Sequence, residues 1–333
     1  MMGNHVQILE FSKYALELDA AQEVERIVGG LRQAVHQTFR RQGAVVGISG
    51  GIDSSVVLAL CVRALSPERV VGILLPEGES SPESATLAHE LARRFGVQTV
   101  TEDVSAALDG LGCYRRRDEA IKRMFPDYAP DWKAKIVLPG NLLDQGTLNV
   151  FSITVVRPDG QSFTQRLPLQ EYAQIVAASN FKQRTRMAML YYHAELRNYA
   201  VVGTANKNEH GLGFFVKYGD GGADIQPIEH LFKTQVYQLA RYLGVPEEIQ
   251  QRTPMSDTYS AGSTQEGFFL RVPFDILDVV WFGHEHGMPH DAIARTLNLS
   301  TEQVERVIAD IVRKQRMTSY LRMPVADMGH ASE

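Results

Sequence analysis

The chain has 333 residues, 44% of them hydrophobic, and a formal net charge of −5 at pH 7. That length holds one large α/β domain or two small ones with a sizeable core, and the acidic balance excludes the electrostatic footprint of a nucleic-acid binder. Cys61 and Cys113 are the only cysteines, too few for a disulfide scaffold, and neither a membrane-length apolar run nor a signal-peptide core is present, so a soluble cytoplasmic protein without a membrane partner is the expectation.

Residues from about Ala20 to Arg41 carry Val24, Ile27, Val28, Leu31, Val35 and Phe39 at helical spacing. The β-branched run from Ala44 to Ile48 reads as a strand, followed by Ser49-Gly50-Gly51-Ile52-Asp53-Ser54-Ser55 and then a helix holding Val56, Val57, Leu60 and Cys61. Small residues let backbone N–H groups close around an anion, and a helix N-terminus faces the same place. Asp53 inside such a cradle would repel a phosphate unless a divalent cation, here Mg2+, bridged the two. The segment from Gly47 to Ser55 lacks the G-x-x-x-x-G-K-[ST] pattern of γ-phosphate-cleaving ATPases. It resembles the loop of the N-type ATP pyrophosphatases, which cut ATP between the α- and β-phosphates.

A second strand is expected at Val70–Leu75, a helix from about Pro82 to Phe95 closed by Gly96, and a third strand from Val97 to about Val100. Strands alternating with helices predict an α/β fold, a parallel twisted sheet with helices on both faces and ligands at the carboxyl ends of the strands. The rhythm breaks over residues 105–178, read as an insertion within a single domain spanning 1–333. There, Val150–Val156 and Gln161–Thr164 flank Arg157-Pro158-Asp159-Gly160, a hairpin signal. Arg115-Arg116-Arg117 reads as a solvated charged surface. Helical patterns resume around Leu169 and from Asn180 to Asn198, a short strand at Ala200–Gly203 follows, and helices are expected over Val236–Leu243, Phe274–Phe282, Asp291–Leu297 and Thr301–Arg316. His284, His286 and His290 lack metal-ligand spacing and read as solvated or helix-terminal.

Three later segments carry chemistry. Asn180 and Arg184 lie four apart on one helix face, with Arg186 about 200° around from Arg184. Gly203-Thr204-Ala205-Asn206-Lys207-Asn208-Glu209 follows a strand end, placing a hydroxyl and a carboxylate at the ligand edge. Lys217-Tyr218-Gly219-Asp220-Gly221-Gly222-Ala223-Asp224 packs glycines, acids and a lysine into one loop, at an entropic cost that implies a required shape.

With the first loop, and in this order, these segments resemble ammonia-dependent NAD synthetase over most of residues 20–260 outside the insertion. The resemblance implies ATP as co-substrate bound by Gly47, Ile48, Ser49, Gly50, Gly51, Ile52, Asp53, Ser54, Ser55, Arg186, Thr204 and Lys233, with magnesium on Asp53 and Glu209. It implies deamido-NAD held by Asn180, Arg184, Lys217 and Asp224, and catalytic roles for Lys233 on the phosphates and for Asp220 at the ammonia. A homodimer is implied as well, and the resemblance leaves room for a glutaminase partner in trans. The implied reaction activates a carboxylate as an acyl-adenylate, releases pyrophosphate, and lets ammonia displace AMP.

The sequence departs from the family pattern on the acid-substrate side. Met255 stands where a phosphate-touching hydroxyl is expected, with Ser256 one residue away as its stand-in for ATP. Gln265 replaces an acid, and Thr318-Ser319-Tyr320-Leu321-Arg322 lacks the His-Lys pair expected near the C-terminus. An ATP pyrophosphatase amidating a different carboxylic acid, or a non-catalytic nucleotide-binding relative, are the competing readings.

Overall fold

The computed structural model describes residues 11–138, 140–144, 150–256 and 260–328. In chain order the elements are α1 (Ala20–Gln33), β1 (Ala44–Gly47), α2 (Ile52–Leu65), β2 (Val70–Leu74), α3 (Pro82–Arg94), β3 (Gln98–Thr101), α4 (Ser105–Gly110) and α5 (Cys113–Met124). They continue with β4 (Lys133–Val137), β5 (Ser152–Val156), β6 (Ser162–Arg166), α6 (Leu169–Arg197), β7 (Ala200–Val202), α7 (Lys207–Leu212), α8 (Lys233–Leu243) and α9 (Glu247–Gln251). The two-residue strands β8 (Met255–Ser256) and β9 (Ser263–Thr264) precede α10 (Phe274–Glu285), α11 (His290–Leu297), α12 (Thr301–Met317) and α13 (Ser319–Arg322).

Four strands form a parallel sheet in the order β3-β2-β1-β7. Strand residues alternate between two apolar layers, as the pleat requires. Ala44, Val46, Ala200 and Val202 pack with the buried faces of α1, α2 and α8, through Val24, Val28, Val57, Leu60, Val236 and Leu239. Val45, Val71, Ile73 and Val201 point the other way, onto Met187, Leu190 and Ala194 of α6. The expected α/β sheet with helices on both faces is therefore the fold observed.

The chain builds β1, β2 and β3 outward in one direction and then returns to place β7 on the other side of β1. The gap beyond the ends of β1 and β7 is thus the topological switch point, where open α/β sheets bind ligands.

Between α5 and α6 lies a second sheet, antiparallel, in the order β4-β5-β6. The hairpin expected around Arg157–Gly160 is its β5–β6 pair, and β4, which has no counterpart among the expected elements, is the added strand. Its inner face and α5 enclose a core of their own with Ile121, Phe125, Ile136, Ile153, Val155 and Ile175. The two helical patterns at Leu169 and Asn180–Asn198 prove to be one continuous helix, α6. It is ~44 Å long and touches the antiparallel sheet with its first turns and the parallel sheet with its last. The C-terminal helices α10, α11 and α12 form a third apolar cluster around Trp281, Val280, Ile293 and Val307.

One surface expectation is corrected. Arg115 and Arg116 are exposed, but Arg117 is buried, because α5 turns it inward onto Glu79, 2.6 Å away. A helix places three successive side chains about 100° apart, so a charge run cannot share one solvated face.

Candidate active site at the end of the parallel sheet

At the switch point a cavity of about 480 Å3 opens between the β1–α2 turn, the β2–α3 loop, the cavity face of α6, and the segments after β7. The turn is shaped by its own side chains. Ser54 Oγ and Ser55 Oγ both donate to the Gly51 carbonyl, at 3.1 and 2.8 Å, and the Gly51 amide donates to Ser49 Oγ at 3.3 Å. Gly50 has φ +71°, and a Cβ there would lie 2.6 Å from the Ser84 carbonyl oxygen. Only glycine fits both the left-handed backbone and the close approach of α3. No side chain caps α2 at Gly51, so its first-turn amides and the positive end of its dipole are left for an anion.

A charged triangle closes the far side of the turn. Lys233 Nζ, only 1% exposed, donates to Asp53 Oδ2 at 2.5 Å, and Asn206 Nδ2 donates to Asp53 Oδ1 at 2.9 Å. Glu209 is held by a capping box at the start of α7, where its Oε2 accepts from the Asn206 amide at 3.2 Å. Its Oε1 accepts from Gln265 Nε2 at 2.9 Å. Burial, and then the neighbouring Asp53 charge, push the Glu209 carboxyl up to about 7. Burial works against the Lys233 charge, but Asp53 and Glu209 together overcome it and hold the ammonium above the usual lysine range. Two carboxylates brought together beside an open anion cradle suit a hard divalent cation carrying a phosphate. The residues present therefore fit magnesium.

Lys233 and Glu209 are fixed by a partner the sequence left unnoticed. Asp278 on α10 is fully buried and accepts from the Thr234 amide at 2.9 Å, from Thr234 Oγ1 at 2.8 Å and from Asn208 Nδ2 at 2.6 Å. Asn208 Oδ1 in turn accepts from the Lys233 amide at 2.9 Å. The C-terminal helices thus cap α8 from outside and tie it to α7. Burial pushes the Asp278 carboxyl up to about 6. An aspartate inside the apolar Phe274–Phe282 pattern was the available signal.

The α6 wall follows the helical repeat: Tyr172, Val176, Ser179, Asn180, Gln183, Arg186, Met187 and Leu190 all line the cavity. Arg186 is aimed by bonds from its Nε to the Leu75 carbonyl at 3.1 Å and from its Nη2 to Ser80 Oγ at 3.5 Å. Ser179 Oγ is buried without a hydrogen-bond partner. Asp220 lines the cavity too, where burial raises its carboxyl to about 6 although the Val216 amide and Arg186 oppose the rise. Its loop needs its glycines for contact, since a Cβ at Gly221 would meet Phe215 at 2.3 Å and one at Gly219 would meet Gln183 on α6 at 2.9 Å.

The structure brings most of the expected residues to this cavity. Gly47, Ile48, Ser49, Gly51, Ile52, Asp53, Ser54, Asn180, Arg186, Thr204, Glu209, Asp220 and Lys233 line it. Gly50 and Ser55 shape the turn from behind. Three expected substrate contacts lie elsewhere. Arg184 Nε donates to the Lys217 carbonyl at 3.3 Å, and Lys217 Nζ donates to the Tyr320 and Met323 carbonyls at 3.0 and 2.7 Å. Asp224 accepts from Tyr191 at 2.9 Å and from the Val201 amide at 2.9 Å. Ser256 belongs to β8 by its backbone, its side chain lies outside what is described, and Asp257 lies outside the described residues. The substitutions Met255 and Gln265 both face the cavity.

A protein-family model described as NAD synthase matches residues 23–120 and 141–320. The chain belongs to the NAD synthase family. Among curated relatives, the NH(3)-dependent NAD(+) synthetase of Rhizobium meliloti is 48% identical over 315 residues, covering 95% of this chain and 94% of the relative. The enzyme of the same name from Thermotoga maritima is 36% identical over 233 residues, covering 70% of this chain and 77% of that one. Among solved structures, the NH3-dependent NAD synthetase of Campylobacter jejuni superposes with a TM-score of 0.61 at 22% identity, covering 93% of this chain and all of its own. The NMN synthetase of Francisella tularensis gives a TM-score of 0.58 at 22% identity, with 94% of this chain covered. At such identity the structural likeness shows the fold. No helix among the described residues is long and apolar enough to cross a membrane.

Proposed function

We propose that this family member is a carbon–nitrogen ligase that amidates deamido-NAD with ammonia, consuming ATP and releasing AMP and pyrophosphate. The observation that carries the reading is the Asp53–Lys233–Glu209 triangle set against the uncapped start of α2, in a chain nearly half identical to enzymes named for that synthesis.

A carboxylate resists ammonia because it is anionic and its oxide leaves poorly. In the proposed reaction a carboxylate oxygen attacks the α-phosphorus, the bond to the bridging α–β oxygen breaks, and pyrophosphate departs with that electron pair. Ammonia then attacks the acyl carbon of the adenylate and AMP departs. The α2 turn binds the triphosphate through first-turn amides and the Ser49 and Ser54 hydroxyls. Lys233 lies where charge grows on the departing pyrophosphate, and Arg186 and Thr204 hold the nucleotide from the α6 and β7 sides. Magnesium, held when bound by Asp53 and Glu209, supplies charge neutralisation on the phosphate oxygens. Asp220, a carboxylate above about pH 6, binds ammonium and takes the proton that frees the amine.

We assign Asn180, on the cavity wall, to the acid substrate. Arg184, Lys217 and Asp224 are assigned to it through the surface behind that wall, which fits a homodimer whose second copy completes the pocket. Their engagement with protein groups in the single chain favours a second reading, a different carboxylic acid as substrate. Turnover of ATP, magnesium and ammonia with deamido-NAD, followed by mass spectrometry, separates them. Equal amounts of NAD, AMP and pyrophosphate are expected. AMP formation only with another acid would select the second reading, and ADP would overturn both.

A further inference from the structure

At the edge of the cavity, reaching it through Lys182 but otherwise set behind the residues assigned above, lies a cluster of charges that joins three segments distant in sequence. Glu77 and Glu79 follow β2, Tyr114 and Arg117 are on α5, and Lys182 is on α6. Lys182 Nζ lies 3.0 Å from Glu77 Oε1 and 2.6 Å from Glu79 Oε2. Arg117 Nη1 donates to both Glu79 oxygens, at 2.6 and 2.8 Å, and its Nη2 lies 2.8 Å from Asp118 Oδ1. Tyr114 Oη donates to Glu77 Oε2 at 2.6 Å. Arg117, Glu77 and Lys182 are 6%, 4% and 1% exposed.

Burying three charged groups, Glu77, Arg117 and Lys182, is costly, and well-packed apolar side chains would hold such a junction as well or better. What ion pairs add is geometry, because Arg117 Nη1 bridges both Glu79 oxygens while its Nε and Nη2 hold Asp118, which fixes the guanidinium and the carboxylate in register. Here the register that is fixed is that of the β2–α3 loop. Ser80 and Ser81, directly after Glu79, line the nucleotide cavity, and Ser80 Oγ is within 3.5 Å of Arg186 Nη2. The Glu77 amide also donates to Ser80 Oγ at 3.1 Å, so the carboxylate residue and the cavity serine belong to one folded turn.

We infer that Arg117 and Glu79, joined to the cavity edge by Lys182, are positioning residues for the nucleotide. Through them the 105–178 segment presses the β2–α3 loop against α6 and sets Ser80 and Arg186 at the cavity rim. This rests on the ATP-site reading above, and the wild-type chain's own ATP affinity, measured first, tests that reading separately.

The experiment compares four forms by calorimetric ATP binding with magnesium, by steady-state kinetics and by thermal unfolding: wild type, Arg117→Lys, Arg117→Met, and the pair Arg117→Met with Glu79→Gln. Arg117→Met is expected to weaken ATP binding about tenfold and raise the KM for ATP alike, with kcat changed less than about threefold. Arg117→Lys, which keeps the charge, recovers part of the affinity. The double variant removes a charge of each sign, so it regains thermal stability but not ATP affinity. Should Arg117→Met fail to fold, the double variant and Arg117→Lys decide the matter by the same measurements. Unchanged ATP affinity in any folded form lacking Arg117, or full recovery of affinity in the double variant, would overturn the inference and leave the cluster a purely structural junction.

Discussion

The two walls of the cavity are built on different terms. The β1–α2 wall is local: Ser49, Gly51, Ser54 and Ser55 bond to one another, and the turn follows from glycines, hydroxyls and the start of a helix. The α6 wall and the loop facing it are long-range, held by contacts such as Lys182 to Glu77, 105 residues apart, and Arg186 to the Leu75 carbonyl, 111 residues apart. A wall of the first kind tolerates change elsewhere in the chain and fails by changes within itself. A wall of the second kind fails at its anchors, which need not touch the ligand.

The largest effect is expected where the local turn is itself braced from a distance, by Lys233 on Asp53, 180 residues apart. Lys233→Met is expected to lower kcat by roughly 10²- to 10³-fold, the scale for losing one preorganised charge partner, while the isolated protein stays folded. A loss confined to KM would mean that Lys233 binds ground-state ATP alone.

Asp278 sharpens the comparison, since it serves the local wall from the distant C-terminal helices. Its carboxyl titrates near 6 in the fold against a reference value of 3.8, so the folded chain holds more protons than the unfolded one between those values. The associated stability is present below about pH 4 and is lost as pH rises through about 6, on the order of 3 kcal/mol. Unfolding free energies of wild type and Asp278→Asn measured across that range should converge or cross as pH rises. Parallel curves would show that Asp278 is ionised throughout.

Gly50→Ala attacks the backbone of the local turn. A Cβ facing the Ser84 carbonyl at 2.6 Å, on a residue with φ +71°, is expected to cost about 1–3 kcal/mol in stability and to weaken ATP binding. An unaltered Tm would mean that α3 can retreat. The smallest effect belongs to the exposed arginines of α5: Arg115→Ala and Arg116→Ala should each change stability by less than about 0.5 kcal/mol. Comparison with Arg117→Met then isolates burial from charge.

How far the sequence could be read follows the same division. The turn at Ser49–Ser55 was legible because its partners are neighbours, and the alternation of strands with helices announced a sheet covered on both faces. The hairpin around Pro158 and Gly160 was legible for a like reason. Strand β4 was not, because Lys133–Val137 acquires its strand identity only by pairing with Ser152–Val156. Arg117 looked like surface because its carboxylate partner lies 38 residues away, on the loop after β2. Asp278 looked like one polar break in an apolar helix, since Asn208 and Thr234 give it meaning only across space. Helix α6 was read as two pieces because its buried face changes partner midway, from the antiparallel sheet to the parallel one.

An oxygen-isotope experiment tests the adenylation chemistry most directly. Deamido-NAD labelled with 18O in its reacting carboxylate is turned over with ATP, magnesium and ammonia, and the released AMP is weighed by mass spectrometry. One labelled oxygen in the AMP phosphate is the expected result, because the carboxylate oxygen that attacks the α-phosphorus leaves with it. Unlabelled AMP, or label in inorganic phosphate alongside ADP, would contradict it.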